Sequence, residues 1–239
     1  MPRTMRILSD ANVYHIVLKG INSQQIFYDD DDYISFLKVL KSTCSSYNAT
    51  LYAFCIMNNH VHLLIKFAEN NMPEMFKSFG ASFVFKYNRK YTRSGSLFNG
   101  RYYSKAVNDD TYLLTVLKYI HFNPVKANLC SKPDEWKWSS FSEYAFRNNI
   151  YVDTNFILSI ISPEQFLDLH TAKENDLIDF LCVDNSIERV SDIKLKNIIE
   201  KLNEYFSPLE IAFQLKRAKI PPYRISKLLG INRDNIYNM

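Results

Sequence analysis

The sequence predicts an α+β fold: an antiparallel sheet with helices on one face, followed by a smaller all-α region. Two observations carry this prediction. Hydrophobic periodicity switches between strand and helix spacing in the order βαββαβα over about the first 150 residues, and beyond them only helical spacing recurs. The chain of 239 residues is 47% hydrophobic, enough apolar side chain for a substantial core.

The elements follow in order. "NVYHIVLKG" alternates as a strand ended by Gly20, and "DDDDYISFLKVLKSTCSSYN" places acids at the positive end of a helix with apolar residues at helical spacing. "ATLYAFCIM" and "HVHLLIKF" are two strands joined by Asn58 and Asn59, residues that tolerate positive φ in a tight turn. A helix over "MPEMFKSFGASFVFKYNRKY" has Pro73 near its first turn. The strand "LFNGRYYSKAV" and the helix "DDTYLLTVLKYIHFN", stopped by Pro124, complete the set. This is a split βαβ, ferredoxin-like plan that leaves one sheet face free of helices.

The strand at 60–67 carries His60 and His62 with one residue between them. Side chains two apart on a strand share a face, so both imidazoles point together with Leu64, while Val61, Leu63 and Ile65 bury on the other side. Two imidazoles begin a metal site but are too few to complete one. In "KYIHFNP", Tyr119 and Asn123 are four apart and lie on one helical face, about one turn from each other. The Asn123 carbonyl is a hard oxygen ligand suited to Mg²⁺ or Mn²⁺, and with His60 and His62 it gives three ligands with positions open for phosphate oxygens and water. The Tyr119 hydroxyl is then placed to attack a bound phosphate.

Charge is unevenly distributed. Residues 1–150 hold 18 basic and 12 acidic residues, 151–190 hold 2 and 8, and 191–239 hold 9 and 5. Between Lys86 and Lys105 the chain carries Lys86, Arg89, Lys90, Arg93, Arg101 and Lys105 with no acid, interleaved with tyrosines that include Tyr102. Cations that neutralise phosphate and rings that stack on unpaired bases are the means of holding single-stranded nucleic acid. Cys44, Cys55, Cys130 and Cys182 form no CxxC pair, so disulfide frameworks and zinc ribbons are excluded as readings. No run of 18 apolar residues occurs and no signal peptide precedes the first strand, so a cytoplasmic chain without membrane contact is expected.

"MNNHVHLLI" resembles the His-hydrophobic-His motif of the HUH single-tyrosine transposases, and "YLLTVLKYIHFNPVKANL" resembles the tyrosine helix of their REP-associated branch. "YHIVLKGINSQQIFYDDDDY", "LFNGRYYSKAV" and "DEWKWSSFSEY" are similar as well, so the resemblance covers roughly residues 1–150. Insertion-sequence members usually carry Gln where this chain has Asn123, and the Asn-Pro form favours the REP-associated branch. The resemblance implies that His60, His62 and Asn123 bind a divalent cation and that Tyr119 is the nucleophile. It implies cleavage and rejoining of single-stranded or hairpin DNA through a 5′-phosphotyrosine, by a homodimer. The other reading is a non-catalytic DNA- or RNA-binding protein on an RRM-like sheet.

Outside the resemblance, 151–190 reads as an acidic helical connector and 191–239 as a helical region. Its ending fits a helix-turn-helix, with "YRISKLLG", Gly230 as the turn and "NRDNIYNM", which makes Arg224, Lys227 and Arg233 candidates for DNA contact. A helical hairpin packed for stability alone fits the same residues. His15, His121 and His170 show no partner pattern and read as ordinary structural histidines.

Overall fold

The computed structural model describes residues 9–171, 192–202, 207–217 and 220–237. Contacts divide the chain into two units, residues 1–171 and 172–239, each taken by itself. In the first, β1 (Val13–Lys19), α1 (Asp30–Ser46), β2 (Ala49–Ile56), β3 (His60–Phe67), α2 (Met72–Lys90), β4 (Tyr103–Val107) and α3 (Asp110–Lys126) follow one another. The sheet order is β2-β3-β1-β4 with antiparallel neighbours throughout, the arrangement a split βαβ unit requires.

Local chemistry starts each helix. The Asp29 carboxylate accepts the Asp32 backbone N–H and the Asp32 carboxylate accepts that of Asp29, so two orphan donors of α1 are satisfied reciprocally. Pro73 occupies the first turn of α2, where a missing N–H costs nothing, and Asp109 caps α3 by accepting the Tyr112 N–H. Gly20 follows β1 because a Cβ there would lie 2.6 Å from the Gln24 carbonyl oxygen.

Three expectations change. α3 does not stop at Asn123 but runs through Pro124 to Lys126. Proline deletes one N–H, and so close to the helix end a single lost bond is tolerated; Asn128 then leaves the helix at φ 55°. Neither Asn58 nor Asn59 takes a positive φ. Met57 N–H still bonds to the His60 carbonyl across them, and their polar groups tie the turn to the segment after β1: the Asn58 carbonyl accepts from Ile26 and the Asn59 carbonyl from Gly20. The third change concerns the sheet. Consecutive residues of β1 and β3 are buried, among them Tyr14, His15, Ile16, Val61, His62, Leu63 and Leu64, so both faces are covered. The crossover helices α1 and α2 share one face and lock together through Phe36, Phe79 and Phe83, with ring centroids 5.0–5.9 Å apart. The face that carries the histidines is closed by α3.

The outer strand β2 is covered rather than left as an open edge. Ile56 and Asp153 N–H bond to the Trp138 and Leu51 carbonyls, Ser140 N–H to that of Phe54, and the Tyr144 hydroxyl donates to the Tyr52 carbonyl at 2.7 Å. The segment continues through α4 (Phe141–Phe146), α5 (Asn155–Ile160) and α6 (Pro163–Thr171). Val152, Ile157 and Phe166 are buried, and the contact-defined first unit runs to Thr171. His121, the Ser140 hydroxyl and His170 form a buried chain of bonds, each 2.9 Å, joining α3 to α6, a structural use of both rings. Residues 172–190 of the expected acidic connector, with Cys182 among them, lie outside the described residues.

The second unit contains α7 (Asp192–Leu202), α8 (Pro208–Arg217), α9 (Pro222–Leu229) and α10 (Arg233–Tyr237). Gly230 ends α9 at φ 68°, and the Asn232 side chain accepts the Asp234 N–H at the start of α10. Ile225 and Ile236 are fully buried, which pins the two helices against the unit. Among the described residues, no helix is long and apolar enough to cross a membrane.

Candidate active site

The antiparallel register assembles the site. Lys19 lies opposite His60 and Val17 opposite His62, while His15 lies opposite Leu64 on β3 and Lys105 on β4. Opposed residues share a face, so His15, His60 and His62 stand on one surface, with His15 diagonal to His62. α3 lays Tyr119 over them: its ring centroid is 5.4 Å from that of His62 and 5.7 Å from that of His15. The catalytic tyrosine expected from sequence and the histidine pair therefore meet within one chain.

The His60 and His62 rings are 5.0 Å apart and nearly perpendicular. Two imidazoles bound through nitrogen to one ion at ~2.1 Å have centroids about 5 Å apart, so the pair fits a shared metal. His60 has a defined orientation. Its Nδ1 lies 2.7 Å from the Asn59 Oδ1, and Asn59 is held in this orientation because its Nδ2 donates to the Ser23 carbonyl. The oxygen only accepts, so the proton sits on Nδ1 and Nε2 keeps its lone pair. Asn123 Nδ2 donates to the Tyr119 carbonyl at 2.8 Å, which likewise determines its orientation and leaves the Oδ1 lone pairs outside that bond. Among the described residues no group of three or more His, Cys, Asp and Glu is placed to hold a metal.

Electrostatics keep the imidazoles neutral. Burial, then the Lys105 charge, pushes His15 down to about 3. Burial and Lys19 push His60 down to about 4. His62 is held well below the usual histidine range by burial, then by His15, His60 and Lys126. Lys126 was not anticipated. Because α3 passes Pro124, this residue lies seven after Tyr119 on the same face and its ammonium sits 4.6 Å from the tyrosine ring centroid.

The residues expected to hold DNA do not form one stripe. Lys86, Arg89 and Arg101 are exposed. Lys90 instead bonds Asp29 and the buried Asp32 at 2.6 and 2.7 Å, an ion pair that ties α2 to the start of α1. Arg93 donates to the Ser96 carbonyl and lies over Tyr87, and Tyr102 packs on Phe76 at 4.3 Å, so both shape the loop before β4. Lys105 faces His15 and lies over Tyr112. In the second unit, Arg224 is largely buried in an ion pair with Asp192, while Lys227 and Arg233 are exposed. Lys90, Arg93, Tyr102 and Arg224 thus also make intramolecular contacts, which charge alone does not reveal.

Comparisons with known proteins agree on the first unit. The family described as "Transposase IS200 like" matches residues 9–123. A protein of Haemophilus influenzae named as a REP-associated tyrosine transposase is 31% identical over 128 residues, spanning 46% of this chain and 69% of the relative. Among solved structures, one of a REP-associated tyrosine transposase bound to a REP hairpin is similar in fold, with a TM-score of 0.52 at 15% identity, over 63% of this chain and 88% of that one.

Proposed function

From the premise that this chain belongs to the IS200-like transposase family, with a REP-associated tyrosine transposase as its relative, we propose that it cuts and rejoins single-stranded DNA through a covalent bond to Tyr119. The observation that carries the reading is the meeting of the Tyr119 ring with His62, 5.4 Å away, beside a His60 whose tautomer is fixed for metal binding. Tyr119 Oη attacks a phosphodiester, the bond from phosphorus to the 3′-oxygen breaks, and a 5′-phosphotyrosine and a free 3′-hydroxyl result. The phenol loses one proton and the departing oxygen gains one, so the bond is conserved for rejoining without a net proton or a water. Lys126 places a cation over the ring.

His60, His62 and the Asn123 carbonyl would hold Mg²⁺ or Mn²⁺, which supplies polarisation of the phosphoryl oxygen when bound. The solved structure with a similar fold is of a transposase bound to a REP hairpin, and hairpin-forming single strands are the substrates proposed here. Lys19, Lys105 and Lys126 provide cations around the histidines, and Lys86, Arg89 and Arg101 extend the basic surface. The approach of the Tyr119 ring to His62 within one chain supports action of the tyrosine on its own subunit's site, and the homodimer expected from sequence is part of the proposal. An RRM-like module reads RNA on an open sheet face; here α3 closes that face, which disfavours the binding-only reading.

His60→Ala is expected to lower Mn²⁺-dependent cleavage of a labelled hairpin at least about 100-fold while changing the DNA Kd less than about threefold, because the cations supply most phosphate neutralisation. Parallel loss of binding and cleavage, measured by gel shift and product gel, would count against the division of labour. For the second unit, α9, Gly230 and α10 form the helix-turn-helix that we propose as a duplex contact, with Lys227 and Arg233 facing outward. Lys227→Ala with Arg233→Ala should flatten the salt dependence of duplex binding by roughly two in log–log slope. An unchanged slope would return these helices to a purely structural reading.

A further inference from the structure

His62 differs from His60 in one respect that decides whether it can bind a metal. Its Nδ1 lies 3.0 Å from the Nε2 of His15, and the two rings stack at 5.3 Å with 20° between planes. Both are buried, at 1% and 5% exposure. His60 has an acceptor-only oxygen as partner, whereas His62 has another imidazole, which either donates or accepts. One proton links the rings, and it has two directions.

In the first, His15 Nε2–H donates to His62 Nδ1. The remaining proton of His62 then sits on Nε2, where it blocks the lone pair a metal needs, and the Nδ1 of His15 carries only a lone pair. In the second, His62 Nδ1–H donates to His15 Nε2, His62 Nε2 is free to ligate, and the proton of His15 moves to its Nδ1. That Nδ1 has no hydrogen-bond partner among the described residues. Orphaned buried N–H groups are rarer in folded chains than under-satisfied acceptors, so the direction that leaves a lone pair on His15 Nδ1 is favoured over the one that leaves an N–H there. The first direction is therefore the resting one.

We propose that His15 is a positioning residue that gates His62: the metal-free chain rests with His62 in a non-ligating tautomer, and metal binding reverses the His15–His62 hydrogen bond. The proposal rests on the reading of His60 and His62 as metal ligands. Half of the site is thus preset by Asn59 and the other half is switched, and the residue at position 15 tunes affinity without touching the ion.

The test reads tautomers directly. Side-chain ¹⁵N–¹H correlation spectra of the full chain with ¹⁵N-labelled histidine are recorded metal-free and during titration with ZnCl₂, used as a diamagnetic probe. His60 should carry its proton on Nδ1 throughout. His62 should pass from Nε2–H to Nδ1–H, and His15 from Nε2–H to Nδ1–H, at the same zinc concentration. Nδ1–H on His62 in the metal-free chain would overturn the gate, as would zinc binding by His62 with His15 unchanged. Silence of both His60 and His62 toward zinc would instead remove the metal-site reading beneath it.

Two variants supply a second readout through Mn²⁺ affinity, measured by electron paramagnetic resonance. His15→Gln offers a carbonyl that accepts from His62 Nδ1–H, so its affinity should equal or exceed that of the unaltered chain. His15→Leu removes the acceptor, leaves the Nδ1–H of the ligating His62 unpaired, and should bind Mn²⁺ about 10–100-fold more weakly than His15→Gln, the usual cost of a lost ligand-orienting partner. Equal affinities in the two variants would refute the assignment.

Discussion

Tyr119→Phe is expected to abolish covalent attachment of the protein to DNA and to reduce cleavage by at least ~10³-fold, the scale seen when a nucleophile is deleted from a site otherwise intact. One oxygen is removed. The ring still fills the space against His15 and His62 and beneath Lys126, so packing is retained. Stability should fall by no more than about 1–2 kcal/mol, the worth of a buried hydroxyl's hydrogen bond. Denaturing electrophoresis of the reaction should show the unaltered chain attached to the 5′ side of each break and no adduct for the variant. Cleavage that persists in Tyr119→Phe with a free 5′-phosphate would mean that water is the nucleophile, and the chain would then be a hydrolase.

Acidification from about pH 6.5 to about pH 4 is expected to unfold the first unit. Its described histidines are neutral, four of them buried and His60 half-buried: His15 is pushed down to about 3, His60 and His170 to about 4, chiefly by desolvation, and His62 and His121 lie well below the usual range for the same reason. In the unfolded chain each takes a proton near pH 6.5. Between these values the unfolded state binds more protons than the folded one, so stability rises with pH and is lost as pH falls. One unit of depression at one site is worth ~1.4 kcal/mol, and five such sites together reach the order of a domain's whole stability, roughly 5–15 kcal/mol. Urea midpoints at pH 7.5, 6 and 5 measure this. A midpoint that stays constant down to pH 5 would show that the histidines are hydrated and titrate normally.

The protein reads only part of this from its sequence. Strand and helix identity are local properties, and so the βαββαβα order, the acids at the start of α1 and the shared face of His60 and His62 are all legible in residue spacing. The four-residue step from Tyr119 to Asn123 is equally local. The pairing of β1 with β3 is not. These strands are separated by α1 and β2, and the register that sets His15 diagonal to His62 is a long-range choice made by the burial of Ile16, Leu18, Val61 and Leu63 on the opposite face. Hence His15 reads as an ordinary histidine in sequence and becomes the partner of a ligand in the fold.

Charge shows the same division. The acid-free run from Lys86 to Lys105 is visible at once, but which cations remain for DNA depends on where Asp29 and Asp32 lie, and only the packing of α1 on α2 brings them to Lys90. Proline marks a helix end statistically, yet α3 passes Pro124 and carries Lys126 to Tyr119. The sequence by itself determined the elements, the histidine pair, the tyrosine and its asparagine, because these follow from chemistry within one turn or one strand. The tertiary structure alone decided that α3 closes the histidine face, which cations stay free, and that His15 meets His62, because each depends on contacts between residues far apart in the chain whose energies are settled only when the whole core is packed.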